Sequence, residues 1–235
     1  MNPLHSLPET VSPPHLLNPQ RRLLTAAALS SAVATAWPLA ATAQPAVENF
    51  KNGQDYLTLK RPAPTQAKPG QTEVVEFFWY NCPHCNEFEP MLEAWSRRLP
   101  KNVVLRRVPV AFRADFEAQQ RLYYTLEAMN RVDDLHKKVF ASIHKEKQPL
   151  STPEQIAGWA AKQGLDVAAF NTFFNSFSVS SQIKTAAQLQ EAYQLDGVPS
   201  LGIAGRYYTS AEQAQTLPRA LQVADFLIGQ SRKSV

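Results

Sequence analysis

Between Glu73 and Tyr80 the chain reads Glu-Val-Val-Glu-Phe-Phe-Trp-Tyr, a β-branched and aromatic run that predicts a strand largely buried on both faces. Asn81-Cys82-Pro83 breaks the run. Phe88, Leu92, Trp95 and Leu99 then recur at helical spacing up to Leu99-Pro100, which predicts about four turns of helix, with Pro90 as a kink. Val103 to Val110 is short and Val-rich and predicts a second strand, giving a βαβ unit with the two cysteines at its top. From Ala114 to Leu195 the pattern is helical; Ser151-Thr152-Pro153-Glu154 is a start signal and Gly164 a stop. Strand signals return in Val198 to Ile203, turn at Ala204-Gly205 and continue from Arg206 to Thr209 as a hairpin. A last helix is predicted from Ala211 to Ile228. This order describes one split α/β domain, 44–113 and 185–235, interrupted by an all-helical insertion over 114–184, with no internal repeat.

The first 43 residues follow another pattern. Arg21 and Arg22 precede an uncharged Ala-, Leu-, Val- and Ser-rich run from Leu23 to Leu39, and Ala41-Thr42-Ala43 fits a small-x-small cleavage site. The run is short for a membrane anchor and is interrupted by Pro38, so it reads as a signal peptide cleaved near Ala43. The arginine pair leaves general and twin-arginine export both open. The long Pro-rich stretch before it leaves the start codon open as well. The net charge of +4 is spread along the chain rather than massed, which argues against nucleic acid as a partner.

An exported chain with 2 cysteines, three positions apart, has no disulfide framework. A bridge between them closes too short a loop to remove much chain entropy, so reactivity is the better reason for the pair. At a strand-to-helix junction Pro83 suits the first helical position, which makes Cys82 the cap facing the free N–H groups of His84 and Cys85. Those donors and the helix dipole stabilise a thiolate on Cys82, and a stabilised thiolate makes the disulfide form a stronger oxidant. Half a zinc site is the rival reading, but His84, His136 and His144 show no paired ligand spacing with the cysteines, so no metal is expected. Asp133, Asp134, His136 and His144 are expected on solvated helical faces.

The segment Glu76-Phe77-Phe78-Trp79-Tyr80-Asn81-Cys82-Pro83-His84-Cys85, with Gly197-Val198-Pro199 far downstream, resembles the DsbA family of periplasmic thiol:disulfide interchange proteins. Phe50 to Tyr56, Phe88-Glu89 and the place of the helical block extend the resemblance over the chain beyond the leader. It implies a thioredoxin fold interrupted by an inserted all-helical domain. Cys82 becomes the exposed nucleophile and Cys85 its buried partner. Pro83 and His84 form the intervening dipeptide, with His84 tuning Cys82 through its charge. Val198-Pro199 becomes a cis-proline loop that pairs with an extended substrate. Glu76 becomes a buried acid relaying the proton of Cys85, with Arg107 as its basic partner. The family is itself the reference example of an acidic, oxidising Cys-x-x-Cys, so that property is taken from the resemblance.

The same resemblance implies a monomeric protein dithiol oxidase in the periplasm without a bound cofactor. It would act on unfolded exported proteins with free thiols and be re-oxidised by a DsbB-type membrane oxidase. Rival readings are a reductase or isomerase, and a peptide-binding or copper-handling module using the same groove or dithiol. Pro90 and Pro109 depart from the family pattern and put local geometry in doubt. Trp79 and Tyr80 belong to the buried strand or, alternatively, line the substrate groove.

Overall fold

A computed structural model describes residues 49–233. The expected leader and its cleavage point lie outside them. The elements are β1 (Leu57–Thr58), β2 (Thr72–Phe78), α1 (Pro83–Ser96), β3 (Val103–Pro109), a 3₁₀ turn (Ala114–Phe116), α2 (Glu117–Ala128), α3 (Val132–His144), α4 (Pro153–Lys162), α5 (Val167–Phe174), α6 (Phe177–Ala192), β4 (Ser200–Ile203), β5 (Tyr207–Ser210), α7 (Ala211–Ala214) and α8 (Leu217–Lys233). Among the described residues the sheet has five strands in the order β1-β5-β4-β2-β3, with β2 and β3 parallel and the other pairs antiparallel.

All seven residues of β2 are buried because the strand is covered on both faces. Val74 packs with Phe88, Leu92 and Trp95 of α1 and Val223 and Leu227 of α8. Val75 and Phe77 belong to the opposite cluster, which takes in Leu122 and Leu126 of α2 and the rest of the helical block. Side chains alternate across a strand, so Glu76 shares the parity of Val74 and points to the α1 side. The parallel register sets Arg107 of β3 directly against Glu76.

Helix α4 starts where the sequence places its start signal, and α5 and α6 have caps of the same kind. Thr152, Asp166 and Ser176 cap α4, α5 and α6 by accepting from the backbone N–H of Gln155, Ala169 and Val179. Helix α6 runs unbroken through position 185, where the sequence pattern was divided between helical block and returning α/β part. In the β4–β5 turn Ala204 and Gly205 both have positive φ, 53° and 64°, and Arg206 N–H donates to the Ile203 carbonyl, the mirror-image turn that suits a two-residue hairpin.

Two expectations change, the single last helix and the solvated histidines, and one strand was not foreseen. Strand β1 is a two-residue edge, too short to register as a pattern. The last helix is two: Gln215, at φ 71°, ends α7, and Thr216 caps α8 by accepting from Arg219 N–H. Thr216-Leu217-Pro218, a cap followed by a first-turn proline, is the signal that marks this restart. Helix α1 continues through Pro90, and Pro109 is the last residue of β3. His136 is buried and His144 half-buried, while Asp133 and Asp134 are exposed as expected. Among the described residues no helix is long and apolar enough to cross a membrane.

Gly202 of β4 fixes how α6 meets the sheet. A Cβ there would lie 2.4 Å from Tyr193 Cε1, and the Tyr193 ring, at the C-terminus of α6, also packs on Phe77 at 5.0 Å between centroids. Gly202→Ala is therefore expected to lower stability by roughly 1–3 kcal/mol through overpacking, read from denaturant unfolding; unchanged stability would show that the ring yields freely.

Candidate functional site at the start of α1

Strand β2 ends at Phe78, and Cys82 N–H donates to the Trp79 carbonyl at 3.0 Å, closing the turn that delivers the chain into α1. Cys82 is the N-cap, in extended conformation, and Pro83 takes the first helical position, as its missing N–H allows. Asn86 N–H donates to the Cys82 carbonyl, so the helix begins at Cys82 itself. The two cysteines are unbridged. Cys85 is fully enclosed and Cys82 retains 8% exposure, so the expected order of accessibility holds but Cys82 is far less open than the resemblance implied.

The two sulfurs differ sharply in acidity. The Cys82 thiol is lowered from 9.0 to about 6, chiefly because the S–H of Cys85 donates to it; burial opposes this, and the N–H groups of Cys85 and His84 and the His84 charge add to it. No side-chain cap hydrogen bond of ordinary geometry reaches the sulfur, so these amides act as oriented dipoles at a helix start. Burial pushes Cys85 well above its ordinary value, and Cys82 raises it further. In its thiol form Cys82 donates to the Val198 carbonyl at 3.4 Å. His84 is exposed, with Nδ1 3.7 Å from Glu87 Oε2.

Val198-Pro199 is a cis peptide bond beside Cys82, with Pro199 buried. Its loop is braced from below. Ser200 Oγ donates to the Gly197 carbonyl at 2.7 Å and lies 3.2 Å from the Tyr208 hydroxyl, which donates to Asp196 at 3.0 Å. A cleft of about 340 Å³ opens here, lined by His84, Val198, Pro199, Tyr208 and Glu212 among others. Trp79 lies flat on Phe116, 3.5 Å between centroids at 7°, while Tyr80 is buried. Among the described residues no group of three or more His, Cys, Asp or Glu side chains is placed to hold a metal ion.

Beneath the cysteines lies a buried polar chain. Glu76 Oε2 is 3.1 Å from Arg107 Nε, yet neither atom makes a well-directed hydrogen bond. Arg107 instead donates to Glu89 Oε1 at 2.7 Å. His136 Nε2 is 3.3 Å from Glu89 Oε2, its Nδ1 is 2.9 Å from the Tyr80 hydroxyl, and His144 Nε2 donates to the Tyr80 carbonyl at 2.8 Å. Burial raises Glu76 from 4.5 to about 8 against the pull of Arg107, and Glu89 adds to the rise. Glu76 is thus both enclosed and paired with Arg107.

The sequence reading did not assign Glu89, Tyr80, His136 and His144 to this chain. Signals for two of them existed. Glu89 falls on the α1 face carrying Cys85, Phe88 and Leu92, and His136 falls on the α3 face carrying Leu135, Val139 and Phe140.

The profile of the DSBA-like thioredoxin domain family matches residues 73–222. The thiol:disulfide interchange protein DsbA of Bordetella parapertussis is 46% identical over 213 residues, covering 90% of this chain and 97% of the relative. The protein of the same name from Pseudomonas aeruginosa is 38% identical over 212 residues, with the same two coverages. A crystal structure of Pseudomonas aeruginosa DsbA superimposes with a TM-score of 0.75 at 38% identity, covering 79% of this chain and 96% of that one.

Alkylation of the dithiol protein is expected to follow one ionisation with a midpoint near 6 and to modify Cys82 alone. A midpoint near that of an unfolded cysteine would remove the thiolate. Since the folded value lies below the unfolded one, the thiolate stabilises the dithiol form fully above about 9 and ceases to do so as pH falls through about 6. Comparing unfolding of the dithiol and disulfide forms across that window should show the dithiol form losing ground toward acid.

Proposed function

Since this chain belongs to the DsbA family of thiol:disulfide oxidoreductases, we propose that it works as an exported oxidase, passing a Cys82-Cys85 disulfide to unfolded proteins with free thiols in the periplasm after its leader is cleaved near Ala43. The observation that carries this reading is the placement of Cys82 at the start of α1, beside the cis Val198-Pro199 bond, with Cys85 enclosed one turn behind it, an arrangement that opens an acidity gap between the two sulfurs.

The reaction follows from that gap. A substrate thiolate attacks the sulfur of Cys82 in the disulfide; the Cys82–Cys85 bond breaks, and Cys85 leaves carrying the electron pair. A Cys85 thiolate is poorly tolerated where it lies, and Glu76, still holding a proton at neutral pH, is the acid that supplies it. A second substrate thiolate then attacks the substrate sulfur of the mixed disulfide, and Cys82 leaves as a thiolate, a good leaving group because its conjugate acid is strong. The substrate has lost two electrons and the enzyme has gained them.

Other groups orient the exchange. Val198 and Pro199 present backbone beside Cys82 and pair with an extended substrate segment, as in β-augmentation. His84 adds positive charge beside the thiolate when protonated, and Pro83 starts the helix that carries it. A quinone-linked membrane oxidase of the DsbB type completes the cycle by accepting the two electrons, and no bound cofactor takes part.

Equilibration in glutathione buffers tests the direction of transfer. The Cys82-Cys85 disulfide is expected to be reduced in buffers that leave a thioredoxin-like dithiol oxidised, and a poise like that of thioredoxin would sink the oxidase reading. Cys82→Ser should abolish oxidation of a reduced client, and Cys85→Ala should accumulate mixed disulfides whose partners can be identified.

A further inference from the structure

The buried chain holds two carboxylates but one guanidinium. Arg107 makes its well-directed bond to Glu89 and meets Glu76 only through space, so a further group must help decide where the single buried negative charge resides. That group comes from the helical insertion. His136 sits on α3, wholly enclosed between Tyr80, which follows β2, and Glu89 of α1. Burial holds the Tyr80 phenol far above its ordinary value, so Tyr80 keeps its proton and donates to Nδ1. This fixes the imidazole as the tautomer with its proton on Nε2, which donates to Glu89 Oε2. Each oxygen of Glu89 then meets a donor, Arg107 on one side and His136 on the other.

We infer that His136 is a positioning residue that assigns the shared proton of the two buried acids to Glu76 by keeping Glu89 a carboxylate. The acidities agree with the geometry. Burial acts to raise Glu89, but His136 and Arg107 outweigh it and hold the carboxyl below the ordinary carboxylate range. Burial also depresses His136 and keeps it neutral, with Glu89 opposing. The other charged or titratable groups bearing on this pair are Arg107 on β3, Tyr123 on α2, Lys137 on α3, and Glu76 with Tyr80 at β2. Among them Arg107 is the cation in direct contact with Glu89.

The assignment rests on the proposed role of Glu76 only for its catalytic consequence, so its test reads carboxyl protonation directly. Carbon-13 NMR of glutamate-labelled protein, assigned with Glu76→Gln and Glu89→Gln, should show Glu76 titrating near 8 in the native chain. His136→Phe removes the donor to Glu89; the proton moves onto Glu89, its repulsion of Glu76 falls, and the Glu76 midpoint should drop by about one pH unit. His136→Gln keeps an amide N–H for Glu89 and should restore the native midpoint. If His136→Phe does not fold, Tyr80→Phe frees the imidazole to adopt the other tautomer, and the same downward movement is expected.

An unmoved Glu76 midpoint in the folded variant, or a Gln variant displaced as far as the Phe variant, overturns the assignment. Client oxidation, which falls as pH rises past the Glu76 midpoint, should fall off about one pH unit earlier in His136→Phe. If the NMR midpoint moves while this profile does not, the assignment stands and it is the relay role of Glu76 that fails.

Discussion

Arg107 stands between two buried carboxylates, and a lone cation so placed can compensate only one of them. Register, parity and burial of the surrounding elements make this shortage unavoidable. The parallel pairing of β2 and β3 sets Arg107 against Glu76, and strand alternation turns Glu76 toward α1. The helical phase that buries Phe88 and Leu92 brings Glu89 to the same place. A buried acid pushed toward its protonated form is thus a product of how strand and helix pack. The cost of confining such groups is met by hydrogen bonds drawn from three parts of the chain, the sheet, α1 and α3.

The acidity of Cys82 has a separate origin. It comes chiefly from the neighbouring S–H of Cys85, and then from the helix start, where the amides of His84 and Cys85 have no intrahelical partners. On the proposed mechanism, one device acts on the sulfur that leaves last and the other on the sulfur that leaves first. They meet at Cys85, whose S–H contributes most to the acidity of Cys82.

Much of the architecture was legible in the sequence because it rests on local signals. The continuous apolar run of β2, the cap at Thr152 and the Ala204-Gly205 turn each carry their cause within a few residues. The cysteine pair was legible for the same reason, since spacing and Pro83 specify a helix cap. What stayed hidden depends on distant partners. Nothing near Thr58 announces a two-residue edge against Tyr207. His136 read as a surface residue because histidine in a charged segment usually is one. Its burial follows from a tertiary contact with Tyr80 and Glu89, each more than forty positions away in sequence.

The complete enclosure of Cys85 reaches beyond acidity. On the proposed mechanism a visiting chain meets one electrophilic atom, and the covalent complex is released only when that visitor supplies a second thiol of its own. The enzyme therefore delivers oxidation without instruction: which two cysteines become joined is decided by the client, through whichever of its thiols arrives first.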